Sequence, residues 1–98
     1  MFRAPFVWEV QVRRELIEEE LAKLRELPYS LWRDMIGRSL RKTAKARDNR
    51  VYRLRTSADW ATPGTENIRV TVALEAGSFG RRLISQSFVI TPDNRFQE

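Results

Sequence analysis

The stretch RSLRKTAKARDNRVYRLRTSADW, Arg38 to Trp60, decides which fold this chain adopts. Its first half, up to Arg47, continues a helical spacing of apolar residues that starts at Trp32, so we expect a helix there. Its second half, from Val51 onward, alternates strictly between apolar and polar residues, as a half-buried strand does. Asp48-Asn49 lies between the two halves and predicts the turn that separates them.

Three segments indicate an antiparallel meander, with strands at about 51–60, 67–75 and 82–91. Short connections join them, built around Pro63-Gly64 and around GSFG at 77–80, and short connections favour antiparallel neighbours. GSFG joins two strands and opens no helix, so we interpret it as a hairpin loop and not as a phosphate cradle. The residues expected to face the core are Tyr52, Leu54, Thr56, Ala58, Trp60, Ile68, Val70, Val72, Leu74, Ile84, Phe88 and Ile90.

Two helices are predicted before the strands, at about 15–27 and 30–47. In the first, Ile17, Leu21 and Leu24 follow helical spacing. Pro28 interrupts this helix because proline disfavours helical geometry at the residue before it. Ser30 then supplies a side-chain cap for the second helix.

Residues 6–12 fit two structures. Their alternation and β-branched content favour a strand that would add to the sheet. The helical alternative rests on the absence of a capping residue between Pro5 and Glu15, and on the helical spacing of Phe6 and Val10. With either structure, we expect residues 1–98 to form a single two-layer α+β domain, with the helical pair packed on the sheet.

The composition restricts the chemistry that this chain can carry. It has neither histidine nor cysteine, so it has no Ser-His or Cys-His nucleophile pair and no structural zinc site. Carboxylate or lysine chemistry, or an all-oxygen Mg²⁺ or Ca²⁺ site, remains as the alternative. We interpret Glu15 and Glu18-Glu19-Glu20 as solvated helix surface, and we expect no enzymatic activity, no metal and no cofactor.

The sequence also predicts where the protein works. Its longest apolar run falls short of the roughly 18 residues that a membrane span needs. The N-terminal MFRAPFVWEVQVRRE lacks the apolar run and cleavage site of a signal peptide. Together with the absence of cysteine, this predicts a cytoplasmic protein with no membrane partner.

The positive charge is concentrated in residues 33–55, which carry nine basic against two acidic residues, +7 in a chain of net charge +5. Guanidinium groups match phosphate bidentately, so this stretch is a candidate nucleic-acid site. On a helix and a strand, however, its cations would face opposite directions and form two weaker surfaces. The candidate residues are Arg38, Arg41, Lys42, Lys45, Arg47, Arg50, Arg53 and Arg55.

Aromatic residues provide the other candidate site. Phe2, Phe6 and Trp8 near one end, and Phe79 at a loop tip, exceed what a small core needs, and they suit an intermolecular contact. Our first hypothesis is therefore a small non-enzymatic protein-interaction module, with a protein partner or a homodimer formed through an exposed sheet edge. Nucleic-acid binding is the second hypothesis and a metal or carboxylate enzyme the third.

The order LPYSLWRDMIG, VYRLRTSADW, IRVTVALEAG and SQSFVITPDNRFQE resembles a group of small uncharacterised bacterial α+β proteins. These pair a helix and an L-x-Y-S-like turn with a meander closing on S-F-V/I-x-x-P-D-x-x-F. The resemblance covers residues 16–98, and Asn94 stands where the pattern has glycine. It implies the meander and a bacterial cytosolic origin, and it assigns no activity to any residue.

Overall fold

The computed structural model describes the backbone of residues 4–76 and 81–97, and the side chains of residues 10–75 and 83–97. Within these residues, two helices precede an antiparallel sheet whose five strands follow chain order from β1 to β5. The elements are α1 (Ala4–Leu24), α2 (Tyr29–Asp34), β1 (Ser39–Lys45), β2 (Val51–Trp60), β3 (Ile68–Ala76), β4 (Arg81–Ile90) and β5 (Phe96–Gln97). The expected α+β class is confirmed, but the predicted three-stranded meander lacks β1 and β5.

The extra strand predicted at residues 6–12 is wrong, because α1 is continuous from Ala4 to Leu24. Proline is tolerated in the first turn of a helix, where its missing N–H would have no partner, so Pro5 is compatible with this start. Val12, Ile17 and Leu21 are buried, which places one helical stripe against the sheet. Burial of this stripe outweighs the weak strand preference of the β-branched residues.

The second helix is much shorter than the predicted 30–47, because α2 ends at Asp34. Gly37 then adopts a φ of +80°, a left-handed conformation that glycine reaches without steric cost, and the chain enters β1 at Ser39. Leucine, lysine, arginine and alanine in SLRKTAK favour a helix locally. Backbone pairing with β2 along the whole of β1 outweighs that preference.

A three-residue turn joins β1 to β2. The N–H of Ala46 donates to the C=O of Arg50 at 3.0 Å, and the N–H of Asn49 donates to the C=O of Ala46 at 2.9 Å. Asn49 has a φ of +67°, in the left-handed region that asparagine tolerates. A left-handed residue closing a three-residue loop is a common hairpin connection. The turn predicted at Asp48-Asn49 is confirmed, but it connects two strands.

The core lies between the helices and one face of the sheet, which we call the inner face. The alternation predicted for β2, β3 and β4 places its apolar residues there, and Ile68, Val70, Val72 and Leu74 are fully buried. Trp60 departs from this pattern with 46% exposure, because it lies at the end of β2. The guanidinium group of Arg33 lies 5.8 Å from its ring centroid and covers part of it.

Candidate functional site

In the described part of the chain, β1 forms one edge of the sheet and pairs only with β2. In an antiparallel pair, residues that bond to the partner alternate with residues whose N–H and C=O point away. Ala46 bonds to Arg50 at the turn, so the even-numbered residues of β1 bond to β2. The odd-numbered residues, Thr43 among them, direct their backbone polar groups to the free edge. Six of the seven residues of β1 are exposed, so this edge is accessible.

An apolar groove of about 350 Å³ opens beside this edge on the inner face. Leu40 and Leu31, at 58% and 38% exposure, form its rim, whereas Trp32 and Leu54 are buried beneath it. The groove therefore presents hydrocarbon to solvent directly beside unpaired backbone groups. Its apolar lining residues are Leu24, Leu27, Leu31, Trp32, Leu40 and Leu54.

The groove exists because the helices do not cover the whole sheet. α1 packs mainly on β3 and β4, and α2 on β3. Strand parity places Leu40 opposite Thr56 on the inner face, where the helices leave it largely exposed. Sequence reasoning missed Leu40 as a site residue, since it puts that residue on the buried stripe of a helix. The signal in the sequence is weak, because Lys42 falls between Leu40 and Ala44 on the same face. The turn at Asp48-Asn49 is the feature that could have indicated a strand before it.

An ion pair holds β1 to α1 inside this groove. The Nζ of Lys42 lies 2.8 Å from the Oε1 of Glu20, whose side chain is only 8% exposed, whereas the side chain of Lys42 is 50% exposed. An unpaired carboxylate at such a buried position would be strongly destabilising, so Glu20 depends on Lys42. Glu20 therefore differs from the solvated helix surface that the sequence predicts.

Trp32 carries a buried donor without a partner at the bottom of the groove. Within the described residues, its indole N–H makes no hydrogen bond. Buried polar groups are nearly always hydrogen-bonded in native proteins.

A second cavity, also about 350 Å³, lies between the middle of α1 and the turn end of β1. The guanidinium group of Arg47 crosses this region and donates to both carboxylate oxygens of Glu15, at 2.8 and 3.1 Å. This hydrogen bonding, together with the positive charge of Arg47, holds the pKa of the Glu15 carboxyl below its ordinary value. The acidic helix and the basic hairpin thus neutralise each other in part.

The opposite, outer face of the sheet gathers arginines around one buried carboxylate. Arg41 Nε and Arg55 Nη1 each lie 3.9 Å from an oxygen of Glu75, whose side chain is 7% exposed. Arg53 stands directly opposite Glu75 in the β2–β3 register. Strand pairing thus creates a compact basic cluster with a carboxylate at its centre.

The prediction that the basic stretch forms two opposed surfaces is wrong, because a hairpin replaces the helix and strand. Four of the eight candidate cations share the outer face, namely Arg41, Lys45, Arg53 and Arg55. The others lie elsewhere: Lys42 on the inner face, Arg47 and Arg50 beside the turn, and Arg38 just before β1. Lys42 and Arg47 are engaged by Glu20 and Glu15, so they are less available to an external phosphate.

The aromatic candidates lie outside what the structure describes. Phe2 and Phe79 are outside the described backbone, and only the backbone of Phe6 and Trp8, within α1, is described. The protein-interface hypothesis based on these four residues stays a prediction.

Neither a metal centre nor a membrane span is found in the described part of the chain. No group of three or more acidic side chains there is placed to hold a metal ion. No described helix combines the length and the apolar character needed to cross a bilayer.

No protein-family model, curated protein or solved structure matches this chain. The resemblance to small bacterial proteins therefore stays a prediction, as does the cytoplasmic location.

Proposed function

We propose that this protein is a small interaction module that binds an extended peptide segment by adding it to the sheet along β1. The observation that carries the proposal is the position of Leu40. Leu40, at 58% exposure, is a residue of the edge strand β1, and its side chain forms part of the rim of the apolar groove. A peptide strand beside β1 would bond to the edge and place alternate side chains over the groove.

The expected energetics are those of a modest, reversible interaction. Each backbone hydrogen bond to the edge adds about 0.5–1.5 kcal/mol net. Each large apolar side chain buried in the groove adds about 1.5–3 kcal/mol. Ordering the peptide and losing its translational freedom offset much of this gain, so we expect affinities on the order of micromolar.

Selection from a display library of random seven-residue peptides on the immobilised protein tests the proposal, since seven residues match the length of β1. We expect enriched peptides that bind as isolated synthetic molecules in solution. If no peptide is enriched above the uncoated surface, the proposed function is wrong.

A backbone variant tests whether binding uses the free edge. Thr43→Pro removes an N–H that points away from β2, and proline is tolerated at such edge positions, so the fold should survive. We expect peptide binding to fall about two- to tenfold, as loss of one edge hydrogen bond of about 0.5–1.5 kcal/mol predicts. Ala44→Pro is the matched control, because its N–H bonds to β2 and its loss should destabilise the protein itself. Unchanged peptide binding by a folded Thr43→Pro variant would contradict strand addition.

A side-chain variant tests whether binding uses the groove. Leu40→Gln places a polar side chain at the rim and should strongly weaken binding of the selected peptides. Val51→Gln is the matched control, because Val51 is an apolar residue of similar exposure, 64%, that faces away from the groove. Equal losses in both variants would show that the groove is not the site.

Nucleic-acid binding is a second candidate function, favoured by the grouping of Arg41, Arg53 and Arg55 on the outer face. Two observations weigh against it. Glu75 offsets part of the charge of these arginines. The described aromatic side chains of the sheet all belong to the inner face by strand parity, so among the described residues the outer-face arginines have no aromatic ring beside them on which a base would stack. Fluorescence anisotropy with single-stranded RNA and duplex DNA tests it. Phosphate contacts require log affinity to fall with log salt by about 0.7–0.9 per contact. No binding at low salt would exclude this function.

A further inference from the structure

The charge of β1 restricts what its edge accepts. Its seven residues carry three cations and no acidic residue, namely Arg41, Lys42 and Lys45. Lys42 is engaged by Glu20 on the inner face, whereas Arg41 and Lys45 lie on the outer face beside the free edge. The carboxylate of Glu75 lies 3.9 Å from the Nε of Arg41 and offsets part of its charge. The side chain of Arg41 is 63% exposed. The edge is therefore positive on the outer face and mainly apolar on the inner face, where the Lys42–Glu20 ion pair also lines the groove.

A second copy of this chain is a poor occupant of this edge. In a symmetric antiparallel pair centred on Arg41 or on Lys42, that residue faces its own copy. Centring the pair on Thr43 places Arg41 opposite Lys45. Like charges directly opposite each other destabilise a strand pair, so each central register is penalised. The expected homodimer is thus disfavoured at β1, and a different chain fits better.

We propose that the segment bound along β1 alternates acidic residues with large apolar residues. This inference rests on the proposed function. Successive side chains of a strand point to opposite faces, so one set lies beside Arg41 and Lys45, and the other lies beside Leu40. Carboxylates in the first set form cross-strand ion pairs, and long apolar side chains in the second set reach over Leu40 into the groove. The partner is therefore an acidic, extended protein segment.

The chemistry of the outer and inner faces of β1 favours this peptide over a nucleic acid as the partner. A phosphate backbone would use the outer-face cations and leave the groove empty. The alternating peptide uses both faces of β1, and its apolar side chains remove Leu40 and Leu31 from water. The peptide accounts for more of the observed surface, so it is the favoured occupant.

Three synthetic seven-residue peptides with blocked ends, alternating leucine with glutamate, glutamine or lysine, test the inference by isothermal titration calorimetry. We expect the glutamate peptide to bind several-fold more tightly than the glutamine peptide at low salt, and this ratio to shrink as salt screens the charges. The lysine peptide should not bind. A glutamine or lysine peptide that binds as tightly as the glutamate peptide overturns the inference.

Two variants test whether the preference for the glutamate peptide comes from the cations of β1. Arg41→Gln should weaken the glutamate peptide several-fold and leave the glutamine peptide unchanged. Arg69→Gln, which removes an exposed arginine on β3 away from the edge, is the matched control and should change neither. Equal effects of the two variants would place the charge preference elsewhere and overturn the inference.

The outcomes distinguish this inference from the proposed function. If displayed peptides bind wild type and lose affinity in Thr43→Pro, yet carry no acidic alternation, only the partner's chemistry is wrong. If neither displayed nor synthetic peptides bind, the proposed function itself fails. Binding of RNA or DNA without binding of any peptide overturns both.

Discussion

Asn94 joins the last hairpin to the helical layer through a single side chain. It adopts a φ of +65°, and its N–H donates to the C=O of Thr91 at 2.9 Å, closing the turn between β4 and β5. Its Oδ1 accepts a hydrogen bond from the N–H of Tyr29, the first residue of α2, at 2.8 Å. Pro28, at the N-cap position, supplies no side-chain hydrogen bond, so Asn94 satisfies a helix donor that nearby residues leave free.

Exchanging this asparagine for glycine separates its two roles. Glycine keeps the left-handed turn but removes the acceptor for Tyr29, so Asn94→Gly should lower the free energy of unfolding by about 1 kcal/mol, as loss of a helix cap does. Urea denaturation measures the change. Asn49→Gly is the matched control, because Asn49 holds the same turn position without a side-chain hydrogen bond in the described residues. Its effect should stay within about 0.5 kcal/mol, and equal effects would show that the Tyr29 contact contributes nothing.

The turns that join β1 to β2 and β4 to β5 show how much the sequence predicts about single residues. Asp48-Asn49-Arg50 and Asp93-Asn94-Arg95 repeat one tripeptide, and both close a three-residue hairpin with a left-handed asparagine. Matching hydrogen bonds, Ala46 to Arg50 and Thr91 to Arg95, close both loops. Comparing the two tripeptides would have predicted β5. The long-range hydrogen bond from Tyr29 to Asn94 has no local signal in the sequence. The side-chain cap predicted at Ser30 is wrong, because α2 begins at Tyr29 and Pro28 occupies the N-cap position.

At the scale of elements, β1 has a sequence that suits two structures. SLRKTAK contains helix-favouring residues, and its strand alternation is weak because Lys42 occupies an inner-face position. Local propensity therefore predicts a helix, and the strand is selected by a turn and a partner that lie outside the segment. β2, β3 and β4 were predictable because their alternation includes large apolar residues that are buried by the helices.

Removing the Lys42 ion pair should show how much β1 depends on α1. Lys42→Met leaves the buried carboxylate of Glu20 without its partner, and we expect a loss of about 1–3 kcal/mol in the free energy of unfolding. Lys45→Met, on the outer face of the same strand, should change it by less than about 0.5 kcal/mol. The double variant Lys42→Met/Glu20→Met should recover most of the loss, because it removes both charges. A double variant no more stable than Lys42→Met would contradict this coupling.

For the whole molecule, charge sets the response to acid. The net charge of +5 rises as carboxylates are protonated, so repulsion grows while ion pairs between α1 and the hairpin are lost. Glu15 is the clearest case. Arg47 holds its pKa below the ordinary value of 4.5 in the folded protein. The unfolded chain therefore binds the proton more readily, and the stabilisation by this pair is complete above pH 4.5 and lost as pH falls through the folded-state pKa.

Unfolding by urea across a pH series tests this linkage. We expect Glu15→Gln to lose stability less steeply than wild type as pH falls below 4.5, because glutamine has no proton to gain. Glu18→Gln, which removes the same charge from an exposed position of α1, is the matched control. Indistinguishable slopes for wild type and Glu15→Gln would show that the pair with Arg47 does not contribute.

The α+β class and the inner faces of three strands were predictable from composition and alternation, whereas the site was only partly so. The basic residues were identified, but their arrangement depends on register. Arg41 meets Arg55 only because β1 pairs with β2, and pairings of this kind have no local signature. The groove depends on where α1 crosses the sheet, which the apolar stripe of α1 does not specify.

The order of the elements has a consequence for the newly made chain. Each strand pairs with the next one along the sequence, so hairpins can form as soon as their residues leave the ribosome. α1 is made before any strand, yet it packs mainly on β3 and β4. At about 5–20 residues per second, synthesis reaches the end of β4 only about 3–13 s after the end of α1. During that interval, Ile17 and Leu21 are not buried against the sheet. A chaperone that binds exposed apolar helices would bind α1 at this stage.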